Sequence, residues 1–172
     1  MLTAGSLELR AATDDDEAVL YRLAADLATW EEVTPAPPKP LTLAAFRKAR
    51  AERDDERSVE FVIAVAGVAV GRCTLFNEDP LARHAEVGIG LVSEARGQGH
   101  GTAALRLLVE FGFTRRNLRR LCLEVTASNV GAIASYRKVG FVEEGRDREH
   151  NWVRGRYEDN VRMGLLRSEW GA

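Results

Sequence analysis

The stretch Glu94-Ala95-Arg96-Gly97-Gln98-Gly99-His100-Gly101-Thr102 alternates three glycines with polar residues. An alternating apolar segment precedes it and a long apolar segment with helical period follows. The pattern predicts a strand, a tight glycine turn and a helix start. Amides in the first turn of a helix have no partner within it and carry the positive end of the helix dipole. Glycines let a ligand approach those amides closely. The chemistry this favours is the binding of a diphosphate. Two sulfur nucleophiles exist, Cys73 and Cys122. Both fall in apolar stretches with no metal or redox spacing, and read as buried reduced thiols.

The elements that must position this turn follow from periodicity. Leu7–Arg10 reads as a first strand. Thr13 with Asp14, Asp15, Asp16 and Glu17 is a capped, acidic helix start, and the helix is expected to run to about Trp30 with Val19, Leu23 and Leu27 on one face. Four of the five prolines fall in 35–40, a stiff loop. A second helix is expected from Leu41 to about Arg53. Val59–Ala66 and Val68–Phe76 read as a hairpin around Gly67. His84–Val92 is a strand, Gly99 to about Arg116 a helix, Leu121–Thr126 a strand, and Asn129–Val139 a helix ended by Gly140. A final strand pair begins at Phe141 and at Tyr157. The crossover through 99–116 makes the strands at 84–92 and 121–126 parallel neighbours. The glycine turn then opens at a strand's carboxyl end, where ligands bind in such sheets.

A dinucleotide fold wants its glycines after the first strand and an acid some twenty residues on, and here the turn follows the fourth expected strand. A P-loop wants Lys-Ser or Lys-Thr after the glycines, and neither is present. Arg96-x-x-Gly99-x-Gly101 instead resembles the R/Q-x-x-G-x-G/A motif of the GCN5-related N-acetyltransferases, the GNAT superfamily. "HAEVGIGLVSEARGQGHGTAALRLLVEFGF" is similar to that family's fourth strand and pyrophosphate helix, and "LRRLCLEVTASNVGAIASYRKVGF" to its next strand and helix. "GRYEDNVRMGLL" resembles the last strand of the branch holding ribosomal-protein and bacterial spermidine N-acetyltransferases.

The resemblance implies a mixed α/β fold: a central mixed sheet of about seven strands, about four flanking helices, and two parallel strands that splay apart. It implies acetyl-CoA as donor and an amine as acceptor, a polyamine or other small amine or a protein N-terminus, with direct attack in a ternary complex and no metal. The pyrophosphate is expected on the amides of Arg96, Gly97, Gln98, Gly99, His100, Gly101 and Thr102, and the pantetheine arm against Leu91 and Val92. Asn129 and Tyr136 lie seven residues apart and share a helix face. Tyr136 is the expected general acid toward the departing thiolate. With ordinary pKa values that transfer is uphill by about 2 kcal/mol. Asn129 fits a helix cap as well as a cofactor contact. Glu86 shares a strand face with Gly88, Gly90 and Val92; it reads as the base, acting through a water, or as a hydrogen-bonded strand residue. Trp30, Glu31 and Glu32 are the candidates for the acceptor side, where acids could attract a cationic amine, or else form a solvated acidic loop end. A catalytically silent acetyl-CoA-binding regulatory module is the alternative.

Composition bounds the rest. The chain has 172 residues, 45% apolar and 29% charged, with net charge −2, as expected of one domain over 1–172. That charge excludes general nucleic-acid binding, which needs a basic surplus. The longest apolar run, 61–70, is half what a membrane span requires, and no secretory signal is read, so a cytoplasmic location is expected, with a homodimer possible.

Overall fold

The computed structural model describes residues 1–33, 38–52 and 57–171, with only the backbone of 31–33. The expected proline loop lies largely outside the described residues. Among the described residues eight strands form one sheet, one more than expected, because Leu2–Ala4 (β1) turns at Gly5 and pairs with Leu7–Arg10 (β2). Val59–Val65 (β3) and Val68–Asp79 (β4) make the expected hairpin. Its two-residue turn, Ala66 and Gly67, has φ of 50° and 80°, the left-handed pair that matches strand twist. His84–Leu91 (β5), Arg120–Thr126 (β6), Val142–Val153 (β7) and Arg156–Leu166 (β8) complete the order β1-β2-β3-β4-β5-β6-β8-β7.

Among the described residues five helices flank the sheet, again one more than expected. The segment read as one helix to Trp30 is a short 3-10 turn at Asp14–Asp16 followed by Glu17–Ala25 (α1) and Leu27–Val33 (α2). The break is at Asp26, whose backbone is extended (φ −72°, ψ 107°). Its carboxylate accepts from the Ala28 amide and from the Thr29 hydroxyl, so Asp26 ends α1 and caps α2. Leu27 is thereby left exposed rather than aligned with Leu23. The acidic run is local structure, as expected: Asp16 accepts from the Thr13 amide at 2.7 Å and from Arg10 at 2.7 and 2.9 Å. Leu43–Ala51 (α3), His100–Thr114 (α4) and Val130–Val139 (α5) follow.

The main core lies between α4 with α5 and one sheet face. Leu105, Leu108, Val109 and Phe113 of α4 pack on Leu9, Ile63, Leu75 and Leu121, all essentially solvent-free. Each such side chain stabilises the fold by roughly 1.5–3 kcal/mol. Gly112 lets α4 approach, because a Cβ there would sit 3.4 Å from both Leu121 and Leu75. The opposite face is covered by the N-terminal helices: Leu20 and Phe46 on Val62, and Leu23 on Val92 and Ala95. α2 reaches across this face to β6 and β7.

One discontinuity positions everything else. β5 and β6 are the parallel pair, matched only at His84–Arg120, Ala85–Leu121 and Glu86–Cys122. Beyond Glu86, β5 stays on β4 out to Leu91 and β6 stays on β8 out to Thr126. The sheet splits into a wedge. α4 starts where β5 ends, and α5 starts where β6 ends.

Candidate active site

The mouth of the wedge carries the glycine turn. Gly97 and Gly99 have φ of 73° and 84°, so both need the left-handed freedom that glycine has, and Gly99 caps α4. The Ala103 amide is the first to close back, onto the Gly99 carbonyl at 3.0 Å. Among the described residues, the amides of Gly97, Gln98, Gly99, His100, Gly101 and Thr102 donate to nothing. Six consecutive donors at the positive end of a 15-residue helix make an anion cradle. Arg96 departs from expectation. Its amide donates to the Ser93 carbonyl at 3.2 Å. Its guanidinium turns back to the Leu91 carbonyl and the Thr29 hydroxyl, both at 2.9 Å. Gln98 also folds back, donating to the Glu94 carbonyl at 2.6 Å.

The free edge of β5 needs a correction at Val92. Its amide donates to Val70 on β4 at 3.0 Å, and its side chain packs with Leu23. Strand alternation then turns the backbone groups of Leu91 and Ile89 toward the edge that β6 has left. Leu91 and Ile89, rather than Leu91 and Val92, therefore present their backbone groups at the open edge.

α5 supplies the opposite wall. Asn129 caps it: its Oδ1 accepts from the Ala132 amide at 3.2 Å, leaving its NH2 group without a partner among the described residues. Tyr136 is 6% exposed, edge-on to Phe141 at 5.9 Å between ring centres. Burial pushes its phenol up to about 12, which keeps it protonated at neutral pH. Its hydroxyl has no hydrogen-bond partner among the described residues. It is not sealed either, since His84 Nδ1 is the one enclosed and unsatisfied side-chain atom among them.

The other sheet face forms the floor beneath α2. Glu86 is half-buried and accepts from the Asn77 side-chain amide at 2.9 Å. Cys122 is opposite it and only half-buried, against the expectation of a buried thiol. Burial raises the Cys122 pKa, and the nearby carboxylates of Glu86, Glu144 and Glu124 push the same way against Arg120. Cys73 is fully buried and raised further. Neither thiol is poised as a thiolate. Glu124 was not singled out from sequence. It accepts from the Asn160 amide at 2.8 Å, and Asn160, 3% exposed, accepts in turn from Asn151 at 3.2 Å. Glu86 and Glu124 are thus each held by an asparagine, and no ion pair to either is seen among the described residues. Leu121, Leu123 and Val125 alternate with Cys122, Glu124 and Thr126, the signal that could have found Glu124. Trp30 is half-buried in α2; the side chains of Glu31 and Glu32 lie outside the described residues. No metal-holding group of His, Cys, Asp or Glu occurs among the described residues, and no helix among them is long and apolar enough to cross a membrane.

A split between two parallel strands, with a bare amide cradle at its mouth, is an arrangement suited to an extended, phosphate-bearing ligand. The family model described as acetyltransferase (GNAT) domain matches residues 6–142, and the chain belongs to that family. It is similar to the spermidine N(1)-acetyltransferase of Escherichia coli strain K12, 33% identical over 116 residues, which cover 67% of this chain and 62% of that protein. The chain thus spans less than two thirds of that relative's length. Among solved structures it is similar to the Vibrio cholerae spermidine N-acetyltransferase in complex with CoA and spermine. There the TM-score is 0.87 at 26% identity, over 96% of this chain and 98% of that one. It is also similar to Mycobacterium smegmatis RimJ in complex with CoA-disulfide. That match has a TM-score of 0.83 at 27% identity, over 96% of this chain and 84% of that one.

Proposed function

We propose that this protein moves an acetyl group from acetyl-CoA to a primary amine on a small cationic acceptor. The observation that carries the reading is the row of six unpartnered amides at the mouth of the split sheet. A diphosphate satisfies such donors with little reorganisation. The pantetheine arm pairs with the free edge at Ile89 and Leu91, like an added strand. The fold match to structures holding CoA and CoA-disulfide supports this placement.

The acceptor enters from the face carrying Glu86 and Glu124. A carboxylate without a cationic partner, held in place by an amide, attracts an ammonium more strongly than one already in an ion pair. This favours a diamine or polyamine, which brings a second ammonium, over a peptide whose N-terminus carries its only positive charge, in line with the spermidine enzymes among its relatives. Glu86 takes the proton from the ammonium, directly or through a water. The neutral amine attacks the thioester carbonyl, whose developing oxyanion faces the free Leu91 amide. The tetrahedral intermediate collapses, the C–S bond breaks, and the departing thiolate takes up the remaining excess proton of the attacking nitrogen, so CoA leaves as the thiol. Tyr136 faces the sulfur. Its phenol near 12 against a thiol near 8.5 makes full proton transfer uphill by about 5 kcal/mol, more than ordinary pKa values suggest. Its role is therefore chiefly a hydrogen bond to the forming thiolate. Cys122 and Cys73, held as thiols, do not compete as nucleophiles, so attack is direct.

The test is release of free CoA thiol with a panel of amines, each product checked by mass for one added acetyl group. Polyamines and diamines should turn over best. A protein that binds acetyl-CoA but releases no thiol with any amine would instead be a silent binding module.

A further inference from the structure

Arg96 sits in the cofactor motif, yet its guanidinium does not face the six free amides. Its Nε donates to the Leu91 carbonyl and its Nη2 to the Thr29 hydroxyl, each at 2.9 Å. Leu91 is the last residue of β5, and its carbonyl lies on the edge that β6 leaves open. Thr29 is 8% exposed and lies in the first turns of α2, the helix that spans to β6 and β7. The Thr29 hydroxyl passes its own hydrogen to Asp26, the residue that caps α2. One planar fork therefore joins the cofactor edge to the start of the acceptor wall. The neighbouring tie from Arg22 to Glu94, at 3.2 Å, is between exposed side chains and adds little.

We propose that Arg96 is a positioning residue that couples occupation of the β5 edge to the placement of α2, rather than a phosphate ligand. The proposal rests on the reading that acetyl-CoA lies along that edge. A ligand pairing with the Leu91 N–H fixes the Gly90–Leu91 peptide, and the next peptide, which carries the Leu91 carbonyl, is held by the Val92 amide donating to Val70 at 3.0 Å. With the planes on both sides of Leu91 held, its carbonyl is a fixed anchor for the guanidinium, and the other arm of the fork holds Thr29. Lysine is a point charge on a flexible stem and does not reproduce a two-armed planar bridge.

Hydrogen exchange by mass spectrometry, with and without CoA, tests this without needing the acceptor. In the wild type, CoA should slow exchange of the α2 amides as well as those of the glycine turn. Arg96→Gln, Arg96→Lys and Thr29→Val should bind CoA within about twofold of wild type by calorimetry, since the amide cradle is intact. Each should lose the protection of α2 and keep that of the turn. Once an acceptor is in hand, the same variants should raise its KM on the order of tenfold, and Arg96→Gln with Thr29→Val together should do no more than either alone. Failure of the wild type to bind CoA would remove the underlying reading. CoA binding that leaves α2 unprotected in the wild type would remove the coupling alone. A tenfold loss of CoA affinity in Arg96→Gln, with Thr29→Val unchanged in every readout, would make Arg96 a phosphate ligand after all. Full rescue by Arg96→Lys would show that charge, not the bridge, is what matters.

Discussion

Replacing Tyr136 by Phe removes one oxygen from a position where the structure allows its effects to be separated. The ring stays in place, because its contacts are the edge-on Phe141 and the apolar cluster containing Ile133. No hydrogen bond among the described residues is lost, so at neutral pH the variant should melt within about 1 °C of wild type. CoA affinity should change little. Turnover should fall by about a hundredfold, the lower range for a positioned proton donor, because proton transfer is steeply uphill and the hydroxyl contributes mainly a hydrogen bond. The raised pKa supplies a second, independent readout. The folded state holds the phenol near 12 against an ordinary value near 10. Below pH 10 both states keep the proton and stability is unaffected. As pH climbs from 10 toward 12, the unfolded chain ionises first and pulls the equilibrium toward itself. Two pH units correspond to about 3 kcal/mol, present below pH 10 and gone by pH 12. Wild type should therefore lose that much more stability over this range than Tyr136→Phe, as read by denaturant melts of the two proteins in parallel. Turnover within twofold of wild type would refute the donor role. Parallel alkaline melts would refute the burial argument beneath it.

Two other substitutions probe the remaining parts of the cleft. Gly99→Val places a β-branched residue at φ 84° in the amide row and should weaken CoA binding at least tenfold by calorimetry; Gly101→Ala, whose Cβ would meet Leu91 at an ordinary 3.5 Å, should leave affinity within about threefold. Glu124→Gln should raise KM for a diamine about tenfold with kcat nearly unchanged and leave a monoamine of the same length unaffected, measured by thiol release; equal effects on both acceptors would take Glu124 out of recognition.

The half of the chain from 84 to 166 was largely legible in its residues, because local signals there agree with one another. Gly99 and Gly140 stand at left-handed caps, Asn129 caps α5, and the alternation of β5 and β6 assigns every side chain to a face. The earlier half was read less well, for two physical reasons. β1 is three residues long and owes its existence to its pairing with β2, which no local pattern announces. The α1–α2 break depends on an aspartate acting as a cap, and an aspartate within a helical pattern looks the same whether it is solvated or capping. At the candidate site, residue type singled out the glycine turn, Tyr136 and Glu86 as candidates. It did not disclose which way each backbone amide points. That is why Val92 was grouped with Leu91, and why the Arg96 amide was counted with the cradle: the first is taken by the Val70 carbonyl, far away in sequence, and the second by the Ser93 carbonyl.

The split at Glu86 ties these pieces to one cause. A parallel ladder that continued past Glu86–Cys122 would satisfy the facing amides of Ile89 and Leu91 with β6 and leave no edge to receive a ligand. The two strands diverge because each is held more firmly elsewhere, β5 by β4 out to Leu91 and β6 by β8 out to Thr126. Gly71 helps hold β5 there: a Cβ at that position would lie 2.3 Å from the Gly90 carbonyl, so only glycine lets the two backbones run this close. Gly71→Ala should therefore push β5 away from β4 at the point where the wedge is widest. The expected result is a loss of CoA affinity from a residue on β4, outside the amide row, visible by calorimetry before any large fall in melting temperature. Unaltered affinity in a folded Gly71→Ala protein would mean that the wedge does not depend on β4 holding β5.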